Sequence, residues 1–250
     1  TLPQIDQFVA EGWFVDNPEG FVQPRRPYRF DGEHFGPPPA TDPIGANSLA
    51  DWTPRPASRP ASHLASGATG DVLPLAGLRV ADFTGFWAGP MASGILAGLG
   101  ADVIHIEGPR RPDGIRLNSI RSMADDDWWE WSPLFCGANT NKRDLAIDLS
   151  VARGREIALR LLATCDVMIE NYSPRVVDQL GLGPDVAREA NPDIIVVRMP
   201  AFGLDGPWRD RVGFAQTIEQ AVGLAFVTGY PGETPLIPNG MCDPLAGVFG

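Results

Sequence analysis

The stretch Leu78-Arg-Val-Ala-Asp-Phe-Thr-Gly-Phe-Trp-Ala-Gly-Pro90 decides how the rest of this chain reads. Residues 78–83, apolar except for Arg79 and Asp82, read as a short buried strand. Two glycines follow, and Pro90 stands where a helix can begin, because the missing proline N–H costs nothing in a first turn. Strand, glycine turn and helix make the start of a βα unit. Outward from it, residues 90–99 read as the helix and residues 102–106 as a second strand. A third strand is expected at 145–149 and a helix at 151–164, which Ser150 can cap and which sets Ile157, Leu161 and Cys165 at i, i+4 and i+8. Two more strands, 166–170 and 193–197, are separated by helical stretches within 174–190. Strands alternating with helices imply βαβ units, so the fold class is α/β: a Rossmann-like, mainly parallel sheet with flanking helices. No internal repeat interrupts it.

The first 72 residues differ in kind. Of the 25 prolines, 12 lie at or before Pro74. Residues 37–60 show no sustained period, and residues 54–70 are a low-complexity Ala/Ser/Arg/Pro stretch, so residues 1–72 read as an extended Pro-rich arm and linker. Phe8, Trp13, Phe14, Phe21, Tyr28, Phe30 and Phe35 are too aromatic for pure solvent, and residues 1–50 are expected to dock against something.

Composition narrows the function. In 250 residues the formal net charge is −11, and the 20 basic residues comprise 19 Arg and one Lys, Lys142. With no basic run, nucleic-acid binding is not expected. No stretch approaches a membrane span and no secretory signal opens the sequence, so no membrane partner is expected and the cytoplasm is the default location. Cys136, Cys165 and Cys242 are odd in number and widely spaced, and the histidines are His34, His63 and His105, which favours neither a disulfide framework nor a metal site.

An open α/β sheet takes ligands beyond the carboxyl ends of its strands. Here that loop is residues 84–90, whose glycines serve either as tight turns or as points of close approach for an anion. GxGxxG is absent from it; the nearest look-alike, Gly181-Leu-Gly183, lies elsewhere, so a nicotinamide or flavin dehydrogenase lacks its central motif.

Taken in order, several fragments are specific. They are Leu73-Pro-Leu-Ala-Gly77, the strand and loop quoted above, Leu99-Gly-Ala-Asp102-Val-Ile-His-Ile-Glu107, Asn141-Lys142-Arg143, Asp166-Val-Met-Ile-Glu170-Asn171-Tyr-Ser-Pro174, and Asn239-Gly-Met-Cys-Asp243-Pro-Leu-Ala-Gly247. Across residues 73–250 this series resembles the class III (CaiB/BaiF-type) CoA-transferases. The resemblance implies a CoA-binding α/β large domain over 73–250 that stops before the family's smaller domain. Arg25-Arg26-Pro27-Tyr28-Arg29-Phe30 is similar to the family's closing segment. Residues 1–72 thus read either as the tail of a preceding copy in a tandem enzyme or as an unrelated extension.

The resemblance also implies chemistry. Asp243 matches the family's nucleophile, which carries CoA from an acyl-CoA donor to a carboxylic acid acceptor through an aspartyl-CoA thioester; read without the resemblance, Asp243 ahead of Pro244 is a helix N-cap. Coenzyme A enters as substrate, with no tightly bound cofactor. Phe86, Trp87, Ala88, Ile147, Asn171, Tyr172 and Ser173 are expected along the CoA groove, with Arg110, Lys142, Arg143 and Arg175 facing its phosphates. Trp87 stands where formyl-CoA transferase has glutamine, which implies a bulkier or less polar acyl pocket. Phe214 stands where the superfamily's racemases have histidine, and a phenyl ring cannot act as a base. The family assembles as an interlocked dimer, so the expected partner is a second copy or a tandem half. A non-catalytic CoA-binding half and a CoA-dependent lyase or dehydratase remain alternatives.

Overall fold

A computed structural model describes residues 1–37, 39–40, 42–43, 46 and 73–250. The chain opens with α1 (Asp6–Ala10) and two short antiparallel hairpins, β1 (Phe14–Asp16) with β2 (Val22–Pro24) and β3 (Arg29–Phe30) with β4 (Glu33–His34). From residue 73 strands and helices alternate: β5 (Arg79–Asp82), α2 (Ala88–Gly98), β6 (Asp102–Glu107), α3 (Pro133–Ala138), β7 (Arg143–Ala146), α4 (Ala152–Leu162), β8 (Val167–Glu170), α5 (Pro174–Gln179), α6 (Pro184–Ala190) and β9 (Ile195–Arg198). Three helices follow, α7 (Ala215–Ala221), α8 (Leu224–Val227) and α9 (Cys242–Phe249).

The five later strands form one parallel sheet in the order β7-β6-β5-β8-β9. Its period-2 alternation feeds two cores. Val80, Val103, Val167 and Ile169 meet Ala92 and Ala97 of α2 on one face. Ala81, Phe83, Ile106 and Met168 meet Ala158 and Leu162 of α4, Val177 of α5 and Ala187 of α6 on the other. The α/β, Rossmann-like expectation holds, and the small residues on α2 let that helix lie close to the strands.

Local details depart from the sequence reading. The third strand spans Arg143–Ala146 rather than 145–149. Its register pairs Ala146 with Glu107, the last residue of β6, and only one further bond, Ile147 N–H to the Glu107 carbonyl at 2.8 Å, extends the ladder. Ser150 does not cap α4: its hydroxyl donates to Asp148 Oδ1, which also accepts the Ser150 N–H in a local turn. The buried stripe of α4 is Gly154, Ala158 and Leu162, while Ile157 is exposed and Leu161 half-buried. Gly154 draws this face inward because its backbone packs against Asp148, leaving no room for a β-carbon.

The first 37 residues are folded rather than extended, and they dock. Gln7 on α1 is fully buried; its Nε2 donates to the carbonyls of Phe202 (2.6 Å) and Asp205 (2.8 Å), and its Oε1 accepts the Trp208 N–H (2.6 Å). Glu11 Oε1 accepts the Asp205 N–H at 2.7 Å, and Arg29 pairs with Asp205 at 2.8 Å. Phe8 stacks on Trp13 at 4.5 Å and meets Trp208 edge-on at 6.0 Å. The low-complexity connector at 54–70 lies outside the described residues. Among the described residues no helix is long and apolar enough to cross a membrane.

Candidate active site

The sheet order makes β5 the place where the chain turns from one side of the sheet to the other, the position at which open α/β sheets have their ligand crevice beyond the carboxyl ends. Two loops meet at it, one after β5 and one after β8. Asn171 joins them: its Oδ1 accepts the Gly85 N–H at 2.9 Å and its Nδ2 donates to the Gly85 carbonyl at 2.8 Å. Beyond Gly85, Phe86 takes the left-handed backbone (φ 63°), uncommon for a bulky residue, and its N–H is fixed by Asp113 Oδ1 at 2.8 Å. The Phe86 ring meets Phe214 edge-on at 5.1 Å.

Trp87 precedes α2 and carries the loop to Asp243. Gly240 has φ 97°, and a β-carbon there would sit 3.1 Å from Trp87 Cζ3, so the indole lies against the turn that leads into α9. Asp243 N–H closes that turn on the Gly240 carbonyl at 3.3 Å. Helix α9 then lies along α2, where a β-carbon on Gly247 would stand 2.8 Å from the Ala88 carbonyl oxygen. Asp243 thus occupies the first turn of α9, half-buried, between Gly240, which packs on Trp87, and Gly247, which packs on Ala88. Burial, with the charge of Glu219 second, pushes its carboxyl up to about 6.

Beneath the loop lies a buried ionic network. Asp82, at the end of β5, accepts bonds from Thr84 N–H (3.0 Å), Thr84 Oγ1 (2.5 Å), Ser93 Oγ (2.7 Å) and Lys142 Nζ (3.0 Å), and faces His105 Nδ1 at 3.2 Å. Burial alone would raise its carboxyl, but the His105 bond and the Lys142 charge hold it well below the usual carboxylate range. Burial works against a charged His105 too, yet the Asp82 bond and charge win and raise the imidazole. Glu107 continues the network, with Arg116 Nη2 at 2.7 Å and the Asp113 N–H at 2.9 Å.

The expected site residues therefore fall into groups. Phe86, Trp87 and Ala88 are consecutive, and the segment that carries Asp243 packs on Trp87 through Gly240 and on Ala88 through Gly247. Asn171 supports their loop. Tyr172 is half-buried against the core, its N–H bonded to Glu170 Oε2 at 2.8 Å, and Ser173 precedes α5 without capping it. Arg175 on α5 and Arg110 after β6 are exposed, Arg110 at 3.7 Å from Asp148. Ile147 is buried in the core, so only its backbone reaches the strand ends.

Two cations are placed differently from expectation. Lys142 Nζ is buried and faces Asp82 Oδ2, Ser93 Oγ, Asn139 Oδ1 and the Pro90 carbonyl, all within 3.0 Å, so its three protons are spent inside the protein. Arg143 pairs with Asp102 at 2.7 Å; Asp102 begins β6, at the amino end of the sheet, away from the crevice.

Comparison with known proteins agrees with this architecture. Residues 75–250 match the family described as CoA-transferase family III. The chain belongs to CoA-transferase family III. The succinyl-CoA–L-malate CoA-transferase alpha subunit of Chloroflexus aurantiacus is 36% identical over 216 residues, covering 86% of this chain and 48% of that protein. The formyl-CoA:oxalate CoA-transferase of Streptomyces avermitilis is 36% identical over 162 residues, covering 65% of this chain and 38% of its own. A crystal structure of Rv3272 from Mycobacterium tuberculosis superposes with a TM-score of 0.63 at 33% identity, covering 71% of this chain and 48% of that one. The chain spans about half the length, or less, of these relatives.

In this family III chain the sequence reading missed Asp113, Arg116 and Glu219. Asp113-Gly114 carried a turn signal that could have pointed to the first. Arg116 and Glu219 sit in ordinary polar surroundings in the sequence, and only the packing buries them.

Proposed function

We propose that this protein transfers CoA between an acyl-CoA donor and a carboxylic acid acceptor, with Asp243 as the nucleophile. The observation that carries the reading is the setting of Asp243: half-buried in the first turn of α9, against the loop that family members turn toward CoA, with its carboxyl pushed up to about 6. Partial desolvation removes the hydration that makes a carboxylate a poor nucleophile.

The electron bookkeeping closes without a cofactor. An Asp243 oxygen attacks the donor thioester carbon, the C–S bond breaks, and CoA thiolate leaves with the electron pair, giving a mixed anhydride. The thiolate attacks the aspartyl carbonyl carbon and expels the donor carboxylate, leaving aspartyl-CoA. The acceptor carboxylate attacks the same carbon and expels thiolate. The thiolate then takes the acceptor's acyl carbon, breaking its bond to the aspartyl oxygen and restoring the Asp243 carboxylate. The neighbouring groups hold the reactants and exclude water, which would hydrolyse either anhydride.

For the CoA phosphates, Arg110 after β6 and Arg175 after β8 are exposed cations. Trp87 against the Asp243 turn supports a less polar acyl pocket. A second copy or a tandem half completes the site in this reading; the alpha and beta subunits named among the relatives fit a paired arrangement. The test uses succinyl-CoA and L-malate first, then a panel of carboxylic acids. Hydroxylamine or borohydride should trap a thioester on Asp243, and Asp243→Ala should abolish transfer. Undiminished transfer by Asp243→Ala would sink the proposal.

A further inference from the structure

Glu219, on α7, is fully buried. Its Oε1 accepts the Gly240 N–H at 3.0 Å, while its Oε2 is buried with no hydrogen-bond partner. A carboxylate is costly to bury, and none of the ion pairs among the described residues includes Glu219. Its surroundings are simple. Helix α2 has no ionisable side chain, α7 has none besides Glu219, and α9 contributes Cys242 and Asp243. Glu219 grips the N–H of Gly240, the residue whose carbonyl accepts the Asp243 N–H.

We propose that Glu219 is a positioning residue for Asp243: its Oε1 anchors the Gly240 turn that presents the nucleophile, and its unpartnered carboxylate sets a negative charge beside the one that must attack. This rests on the nucleophile reading above. The repulsion acts only while Asp243 is an anion. In the anhydride and in aspartyl-CoA the aspartyl group is neutral, so the charge raises the free carboxylate relative to the intermediates and lowers the barrier out of it. The hydrogen bond and the charge are separable. Glutamine keeps the acceptor for Gly240 and removes the charge.

The experiment compares Glu219→Gln with the natural full-length enzyme, using succinyl-CoA with L-malate, or whichever pair from the panel turns over. The acid limb of the kcat profile should move down by about one pH unit. The plateau kcat should fall about threefold, as expected for a less basic nucleophile, with KM for the donor unchanged. A second readout needs no catalysis. Cys242 is held up by burial and then by the charges of Glu219 and Asp243, so its iodoacetamide alkylation, followed by peptide mass, should shift to lower pH in the same variant. If both profiles move, the proposal stands. If neither moves in a folded variant, Glu219 is only a structural support and the proposal falls. If Cys242 shifts while the activity limb stays fixed, the charge is there but Asp243 does not control turnover, and the nucleophile reading falls, taking the proposal with it. Should Glu219→Gln not fold, Glu219→Met is the second variant, since an apolar side chain relieves the orphaned oxygen. It should show the same two shifts and a further loss of kcat from the untethered turn.

Discussion

Asn171 and Gly85 exchange two hydrogen bonds, at 2.9 and 2.8 Å, so one side-chain amide acts as a second backbone strand for the loop after β5. No other side chain type supplies a donor and an acceptor in this spacing at this length. Asn171→Ala should lower stability by about 1–3 kcal/mol through the two orphaned backbone groups. Because the same loop carries residues 86–88, CoA affinity should fall about tenfold, measured by isothermal titration. Asn171→Asp sets a carboxylate against the Gly85 carbonyl and should be no better than alanine.

Lys142 gives a prediction that reverses the sequence reading. Its ammonium, buried against Asp82 at 3.0 Å, is a strut between the start of β7 and the end of β5. Removing it leaves a buried, unpaired Asp82 charge. Lys142→Ala should therefore cost about 3–5 kcal/mol in denaturant unfolding. The double variant Lys142→Met with Asp82→Leu should recover part of that loss, because it removes both charges together. CoA affinity of any folded remainder should be little changed, since the ammonium does not face the crevice.

Why the fold was legible and this strut was not has a physical answer. The runs at 78–83, 102–106, 166–170 and 193–197 are short, apolar and punctuated, and burial on both faces of a parallel sheet demands that pattern. Residues 84–90 and Asp243 were singled out only by the order of fragments along the chain. Where the reading failed, the deciding contact is between segments distant in sequence. Asp82, His105 and Lys142 meet because parallel pairing sets Asp82 opposite His105 and because the segment after α3 folds back over α2. Nothing local in Asn141-Lys142-Arg143 distinguishes the inward lysine from the outward arginine. Likewise, the third strand slipped because its register is set by where β6 stops.

His105 makes stability depend on pH on the alkaline side of the unfolded histidine value. Asp82 raises its folded value over that of the unfolded chain, so the stabilisation is full below the unfolded histidine value of about 6.5 and is lost as pH rises through the folded value. Urea midpoints should thus decline on the alkaline side of about pH 6.5, and His105→Asn should flatten that decline while lowering the midpoint in acid. Asp82 contributes the opposite slope in a separate window. Its depressed carboxyl stabilises above the unfolded value of about 3.9 and loses that contribution only in stronger acid.

Gln7 tests the docking of the N-terminal segment. It satisfies three backbone groups of residues 202–208 from a fully buried position. Gln7→Ala would strand all three and should cost about 2–4 kcal/mol for this subregion, at roughly 1 kcal/mol or more per unmet group. Limited proteolysis should then cut within residues 1–37 markedly faster than in the unaltered protein. Gln7→Glu keeps the Trp208 contact but turns a carboxylate toward two carbonyls, and should expose the segment to a similar degree.

The last prediction concerns Gly240, where three constraints coincide. The residue has φ 97°, a β-carbon would press within 3.1 Å of Trp87 Cζ3, and both its N–H and its carbonyl are engaged, by Glu219 and by the Asp243 N–H. Gly240→Ala should therefore cost about 1–3 kcal/mol in backbone strain and push the indole aside. A displacement of about 1 Å in the turn should reduce kcat about a hundredfold, since the attack geometry of Asp243 depends on it. Trp87→Ala in the same background opens the space that the methyl needs. If the indole contact causes the damage, the double variant should regain activity relative to Gly240→Ala alone; if the positive φ causes it, the two losses should add.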